Sequence, residues 1–261
     1  MTAIEVVTGR AVNPGATITA LTANTDQSFA VRFHQTPGTA VLEEVWTQQL
    51  TAGQLRVNSP NMHDDVVGIR MVANASAVRR LLPEEAMETL MPQDTLEVGL
   101  SGDAAATVSA GLLIYYGDLP GISARLRSWE EVKPQIEHLY GFPVAVAGPT
   151  TAGDWSAGVA LNFTVDEMKA NRDYAILGYT LDTECCAVAI SGSDTGNLKI
   201  GGPGPLLADE TRAFFVDQGR RSGTPHIPII NSANRAGTRV FVSKNTAAGT
   251  VTVSLLTALL R

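Results

Sequence analysis

Two eight-residue stretches, Gly53-Gln54-Leu55-Arg56-Val57-Asn58-Ser59-Pro60 and Gly196-Asn197-Leu198-Lys199-Ile200-Gly201-Gly202-Pro203, share a Gly-x-Leu-basic-β-branched pattern that ends in proline and lie 143 residues apart. The same offset aligns Thr107–Leu113 with Thr250–Leu256. Two segments that agree on one offset describe a duplicated unit of domain size, since solenoid repeats run to only about 20–50 residues. A chain of 261 residues holds two such units, each long enough to bury its own core. The expected division is a first copy over 1–118, a connector over 119–153 and a second copy over 154–261.

The periodicity within each copy is that of strands. Apolar residues make up 44% and charged residues 17% of the chain, with 24 Gly and 13 Pro, which suits short strands joined by tight turns better than long surface helices. Strands are expected over Ala16–Leu21, Phe29–Phe33, Ala40–Trp46, Thr95–Leu100 and Thr107–Tyr116 in the first copy. In the second they are expected over Val159–Val165, Tyr174–Tyr179, Cys185–Ile190, Thr238–Ser243 and Thr250–Leu260. Each copy carries a helical interlude, from Pro83-Glu84-Glu85 to about Met91 in the first. In the second it runs from Asp209 to Arg221 and is stopped by Gly223 and Pro225. In the connector, Ser128-Trp129-Glu130-Glu131 is a capping-box pattern that predicts a helix reaching about Leu139. The fold class is therefore all-β with a few short helices: two tandem jelly-roll-like β-sandwich or barrel copies joined by a helical connector.

A net charge of −7 argues against a nucleic-acid footprint, and the basic pairs Arg79-Arg80 and Arg220-Arg221 are expected on solvated helix faces. The N-terminus has no secretory pattern, and no segment approaches the roughly 20 apolar residues of a transmembrane span, so a soluble protein made in the cytoplasm is expected. Cys185 and Cys186 are adjacent, and a disulfide between neighbours closes no useful loop, so reduced thiols are expected, at least one of them buried in a strand.

No catalytic, cofactor or metal site is expected. His34, His63, His138 and His226 lack ligand spacing. His63-Asp64-Asp65 has the character of a polar turn. Gly201-Gly202-Pro203-Gly204-Pro205 lacks the Lys and Ser/Thr of a phosphate loop, and its prolines remove backbone donors. The carboxylate pairs Glu43-Glu44 and Glu130-Glu131, and Asp182 with Glu184, have no spacing that selects a glycosidase pair.

The repeated Gly-x-Leu-Arg/Lys-Val/Ile-x-x-Pro segments, the repeated closing strands and the two-copy layout resemble the double jelly-roll major capsid proteins of tailless icosahedral viruses, bacterial ones included. That resemblance implies an eight-stranded barrel in each copy and a homotrimer that forms a pseudo-hexagonal capsomer. It further implies partners limited to the chain itself in a higher-order shell and other virion proteins, with a place in the virion after assembly in the host cytoplasm. The segment with Arg220, Arg221, Pro225, His226, Ile227, Pro228 and Ile229 has no close counterpart in the first copy, and a contact between copies or chains is expected there. Two other readings stay open. One is a carbohydrate- or small-ligand-binding protein made of two β-sandwiches, with Trp46, Trp129 or Trp155 stacking on sugar rings. The other is an enzyme that uses His63, Asp64 or His226.

Overall fold

The computed structural model of the chain describes residues 2–36, 39–62, 67–73, 78–80, 87–163, 167–206 and 208–261. The first copy contains β1 (Ala3–Val12), β2 (Thr19–Ala20), β3 (Thr22–Ala23), β4 (Ala40–Gln48), β5 (Gly53–Asn58), β6 (Ile69–Ala73), β7 (Arg79–Arg80), β8 (Glu88–Leu90), β9 (Glu97–Leu100) and β10 (Thr107–Tyr116). These form one antiparallel sheet of order β3-β1-β10-β4-β7, with β8 also on β4, and a second of order β2-β9-β5-β6.

The rest of the chain contains β11 (Leu126–Arg127), α1 (Trp129–Val132), β12 (Ile136–Ala147), β13 (Val159–Ala160), β14 (Asp173–Leu181), β15 (Cys185–Ser191), β16 (Ile200–Gly204), α2 (Ala208–Thr211), α3 (Phe214–Ser222), β17 (Ile227–Asn231), β18 (Arg239–Ser243) and β19 (Thr250–Leu260). Their sheets run β11-β17-β14-β19-β12 and β13-β18-β15-β16. The order of the first copy is thereby repeated, strand for strand: β1-β10-β4 matches β12-β19-β14, and β2-β9-β5-β6 matches β13-β18-β15-β16. Two four-stranded orders interleaved in this way make each copy jelly-roll-like.

Burial patterns divide the strands into inner and outer layers. In β10 every residue after Thr107 is buried, and in β15 every residue before Ser191 is buried, as expected of strands covered on both faces. In β19 buried and partly exposed residues alternate from Thr250 to Leu256, as expected of a sheet with one wet face. The sheet of β1, β10 and β4 is thus an inner layer, which meets β15 and β16 of the second copy. One continuous apolar core runs through both copies.

Trp46 sits at this junction. It is fully buried, and its indole N–H donates to the Cys186 carbonyl across the seam at 2.7 Å. Its cross-strand neighbour is Gly111, and a Cβ there would come within 2.3 Å of the indole ring. Glycine at 111 is therefore the space the indole occupies. The ladder between β15 and β16 slips between Cys185 and Ala187, which makes Cys186 the bulged residue and leaves its carbonyl free for the indole. Both cysteines are free and buried. Burial pushes the Cys186 thiol up to about 12 and the Cys185 thiol well above its ordinary range.

Several sequence expectations are corrected. The 53–60 and 196–203 repeats fall on β5 and β16, which hold different places in the strand order, since β16 matches β6. The Thr107 and Thr250 repeats fall on β10 and β19, which are equivalent. The α2 and α3 insert before β17 lengthens the second copy, so one offset fits only the closing strands: β4 and β14 begin at Ala40 and Asp173, β10 and β19 at Thr107 and Thr250. The connector helix has its capping box at Ser128 and Glu131 but ends at Val132. A 3-10 turn containing Pro134 follows, and 136–147 then pair with β19 along their whole length. Glu88–Leu90 is a strand on β4 and not a helix end, while Pro83, Glu84 and Glu85 lie outside the described residues. Arg79-Arg80 likewise forms a strand and not a helix face. Phe29–Phe33 makes only an isolated bridge, at Ala30 to Thr95, and of the strand expected over Val159–Val165 the residues Val159 and Ala160 are strand, 161–163 are not, and 164–165 lie outside the described residues. The glycine run at 201–204 is strand β16, and Pro203 lies inside it, tolerated because β16 is an edge strand. The helix expected over 209–221 breaks at Arg212 and Ala213, where its backbone presses on Gly178 of β14.

Replacing Trp46 with Ala removes a large buried ring and an inter-copy hydrogen bond together. A loss of about 3–5 kcal/mol is expected, measured by urea unfolding.

Candidate functional site

The seam between the copies carries two polar clusters. The first centres on Glu43, a carboxylate in the middle of an apolar strand. Between β10 and β4 the pairing passes from Leu113 with Glu44 to Ile114 with Leu42, so Glu43 is the bulged residue. The bulge turns its side chain out of the ladder and towards the second copy. There His226 Nε2 lies 2.6 Å from Glu43 Oε2, and both side chains are fully buried. The Gln218 amide of α3 donates to the same carboxylate oxygen at 3.3 Å. On its other side, His226 Nδ1 meets Thr224 Oγ1 at 3.0 Å and Ser222 Oγ at 3.3 Å. The imidazole stacks on Tyr115, with ring centroids 5.5 Å apart. The Tyr115 hydroxyl is pushed above its ordinary range, first by burial and then by the Glu43 charge.

The second cluster centres on Asp154. It accepts hydrogen bonds from Thr25 N at 3.0 Å, Thr25 Oγ1 at 2.7 Å and Trp155 N at 2.8 Å, and pairs with Arg10 at 2.8 Å. Burial works to raise this carboxyl, but these partners outweigh it and hold the group below the usual carboxylate range. Beside it opens a cavity of about 530 Å³, lined among others by Thr25, Asp26, Gly148, Trp155, Lys199 and Phe241. The Lys199 ammonium sits 5.7 Å from the Trp155 ring centroid and 5.2 Å from that of Phe241. Burial lowers its pKa from the ordinary lysine value. The Trp155 indole N–H donates to Gln27 Oε1 of the first copy at 2.7 Å.

The residues singled out in the sequence are distributed as follows. His226 reaches across the seam to Glu43 and Tyr115. Ile227 and Ile229, each 1% exposed, are β17 residues packed in the core of the subunit. Arg220 lies in the last turn of α3, 3.8 Å from Asp217 and 5.5 Å from the Trp129 ring centroid. Arg221 lies in the last turn of the same helix, and Pro225 and Pro228 flank and enter β17. Of the three tryptophans, Trp46 is sealed in the seam, Trp129 is covered by Arg220, and Trp155 borders the cavity. His63, Asp64 and Asp65 lie outside the described residues. His34 and His138 are far from the His226 cluster in contacts: His34 meets the Arg32 carbonyl, and His138 lies near Glu137. Among the described residues no group of three or more His, Cys, Asp or Glu side chains could hold a metal ion. No helix among them is long and apolar enough to cross a membrane. Glu43, Asp154 and Lys199 carry the polar chemistry of the seam. The available signal was an acidic pair inside an apolar strand, Val41-Leu42-Glu43-Glu44-Val45-Trp46.

No family model matches the chain, and no curated protein matches it. Three solved structures align with it over nearly its whole length. The PBSX exported protein XepA is 9% identical at a TM-score of 0.29, over 99% of this chain and 86% of that one. The major capsid protein P2 from bacteriophage PM2 is 10% identical at 0.24, over 100% and 98%. The STIV MCP is 8% identical at 0.23, over 99% and 97%. Likenesses this low carry no functional argument.

Two outcomes test the seam. Glu43→Ala leaves the buried His226 without its hydrogen-bond partner and should cost about 1–3 kcal/mol in urea unfolding, much of it recovered in the double replacement Glu43→Leu with His226→Leu. The depressed Asp154 carboxyl contributes stability that is fully present above its unfolded value of about 3.9 and is lost as pH falls through the lower folded value. Asp154→Asn should therefore lower stability at neutral pH and flatten the acid limb of a pH-dependent unfolding series.

Proposed function

We propose that this chain is a structural assembly protein without catalytic activity: a major capsid subunit of bacteriophage type, whose homotrimers form pseudo-hexameric building blocks of a virion shell. The observation that supports the reading is the repeated strand order, in which two jelly-roll-like copies in one chain are buried against each other along a continuous core. The contact is heterologous: the β1-β10-β4 sheet of one copy meets the β15-β16 side of the other, so each copy uses a different surface. A heterologous contact repeated between chains closes into a ring when its rotation permits, and three two-copy chains would make a ring of six units. Jelly rolls also serve in lectins and cupins, so the step from strand order to shell is one of fold analogy. In this reading the first copy spans 1–118, the stretch 119–153 bridges to the second copy and lends it β12, and the partners are further copies of the chain and other virion proteins.

Light scattering on the purified protein, coupled to size-exclusion chromatography, should give a mass of three chains of 27.6 kDa, and electron microscopy of concentrated samples should show rings or shells. A strict monomer at every concentration overturns the proposal.

A further inference from the structure

We propose that the cavity at the end of the seam is a binding site for a carboxylate-bearing pyranose, a sugar acid, with Lys199 as its anion-recognising group. Lys199 is the reason for the commitment. Its ammonium is half-buried between the Trp155 and Phe241 rings, and the charges of Asp26, Glu5 and Asp154 reach it, yet among the described residues none of the three closes an ion pair with it: Glu5 pairs with Arg32 and Asp154 with Arg10. A half-buried cation held by two aromatic faces and facing an open cavity is matched to an incoming anion. The nearby Asp154 is not free to play that part from within, since its oxygens are taken by Thr25, Trp155 and Arg10.

The remaining walls define the rest of the ligand. Ala157 and the edges of Trp155 and Phe241 offer an apolar surface to a ring face. Thr150 and Thr151 bring hydroxyls, and the exposed Asp26 at the rim is an acceptor for ligand hydroxyls. A cavity of about 530 Å³ takes one or two sugar rings. A cation, an apolar platform and hydroxyl partners in one concave site fit a ring that carries both a carboxylate and vicinal hydroxyls. The site needs both copies, because Thr25 and Asp26 come from the first and the other lining residues from the connector and the second.

Calorimetric titration of the protein, in whatever oligomeric state it purifies, with D-glucuronate and with D-glucose tests the proposal, because the two sugars differ at the carboxylate. Saturable glucuronate binding at least about tenfold tighter than glucose binding is expected, and Lys199→Met should weaken it by about tenfold or more. Equal affinity for the two sugars overturns the proposal, as does glucuronate binding that Lys199→Met leaves unchanged. So does the absence of saturation up to about 50 mM. Hydrogen exchange on the unmodified protein supplies a readout that no substitution can spoil: glucuronate should protect 147–159 and the Phe241 strand, and protection only elsewhere overturns the assignment. Particle mass, measured in parallel, reports on assembly alone, so failure here and failure of the capsid reading are told apart.

Discussion

Everything else in the structure depends on one burial: the sheet of β1, β10 and β4 is covered on both faces, by its own copy on one side and by the second copy on the other. A strand in that position has no wet face, so every side chain must find a partner, a gap or a compensating charge. Trp46 shows how this is met. Its ring fills the space above Gly111, and its one polar atom reaches the Cys186 carbonyl, which a bulge in β15 has freed. Apolar burial at roughly 25 cal/mol per Å² makes such a junction strong, and the hydrogen bond aligns the two copies.

The polar groups in the seam act differently. A buried hydrogen-bonded polar pair gains little net stability, because desolvating both groups offsets most of their attraction. Glu43 and His226 instead penalise every arrangement in which one is buried without the other. Asp154, with Arg10 and Thr25 on one side of the seam and Trp155 on the other, imposes a second such condition. Two polar conditions flanking an apolar junction leave the copies one mutual placement. That rigidity keeps the walls of the Lys199 cavity at fixed distances, since those walls come from both copies.

The strands were legible where their patterns were strong. β4, β10, β14, β15 and β19 follow the apolar runs and alternations of the sequence, and the capping box at Ser128 begins a helix as expected. β12 was missed because Gly141 and Pro143 carry the marks of breakers, yet an edge strand accepts proline, and β12 is an edge. The apparent repeat at 53–60 and 196–203 failed for a related reason: strands of one composition fill many places in a sandwich, so local similarity does not fix topological position. Of the seam chemistry, the acidic pair in β4 and His226 left a trace, but their meeting did not, because a bulge has no signature in a single sequence.

The sequence by itself determined an all-β chain of two copies, since period-two patterning and turn residues are local properties and a closing strand carried twice survives as recognisable text. Tertiary structure alone decided which face of each copy is buried against the other, that Ile227 and Ile229 point into the subunit, and that Glu43 meets His226 while Lys199 is left facing a cavity. Those outcomes depend on contacts between residues more than a hundred positions apart, and on bulges that turn a side chain from one partner to another. Burial and pairing at that range are set by how whole sheets pack, which no local pattern encodes.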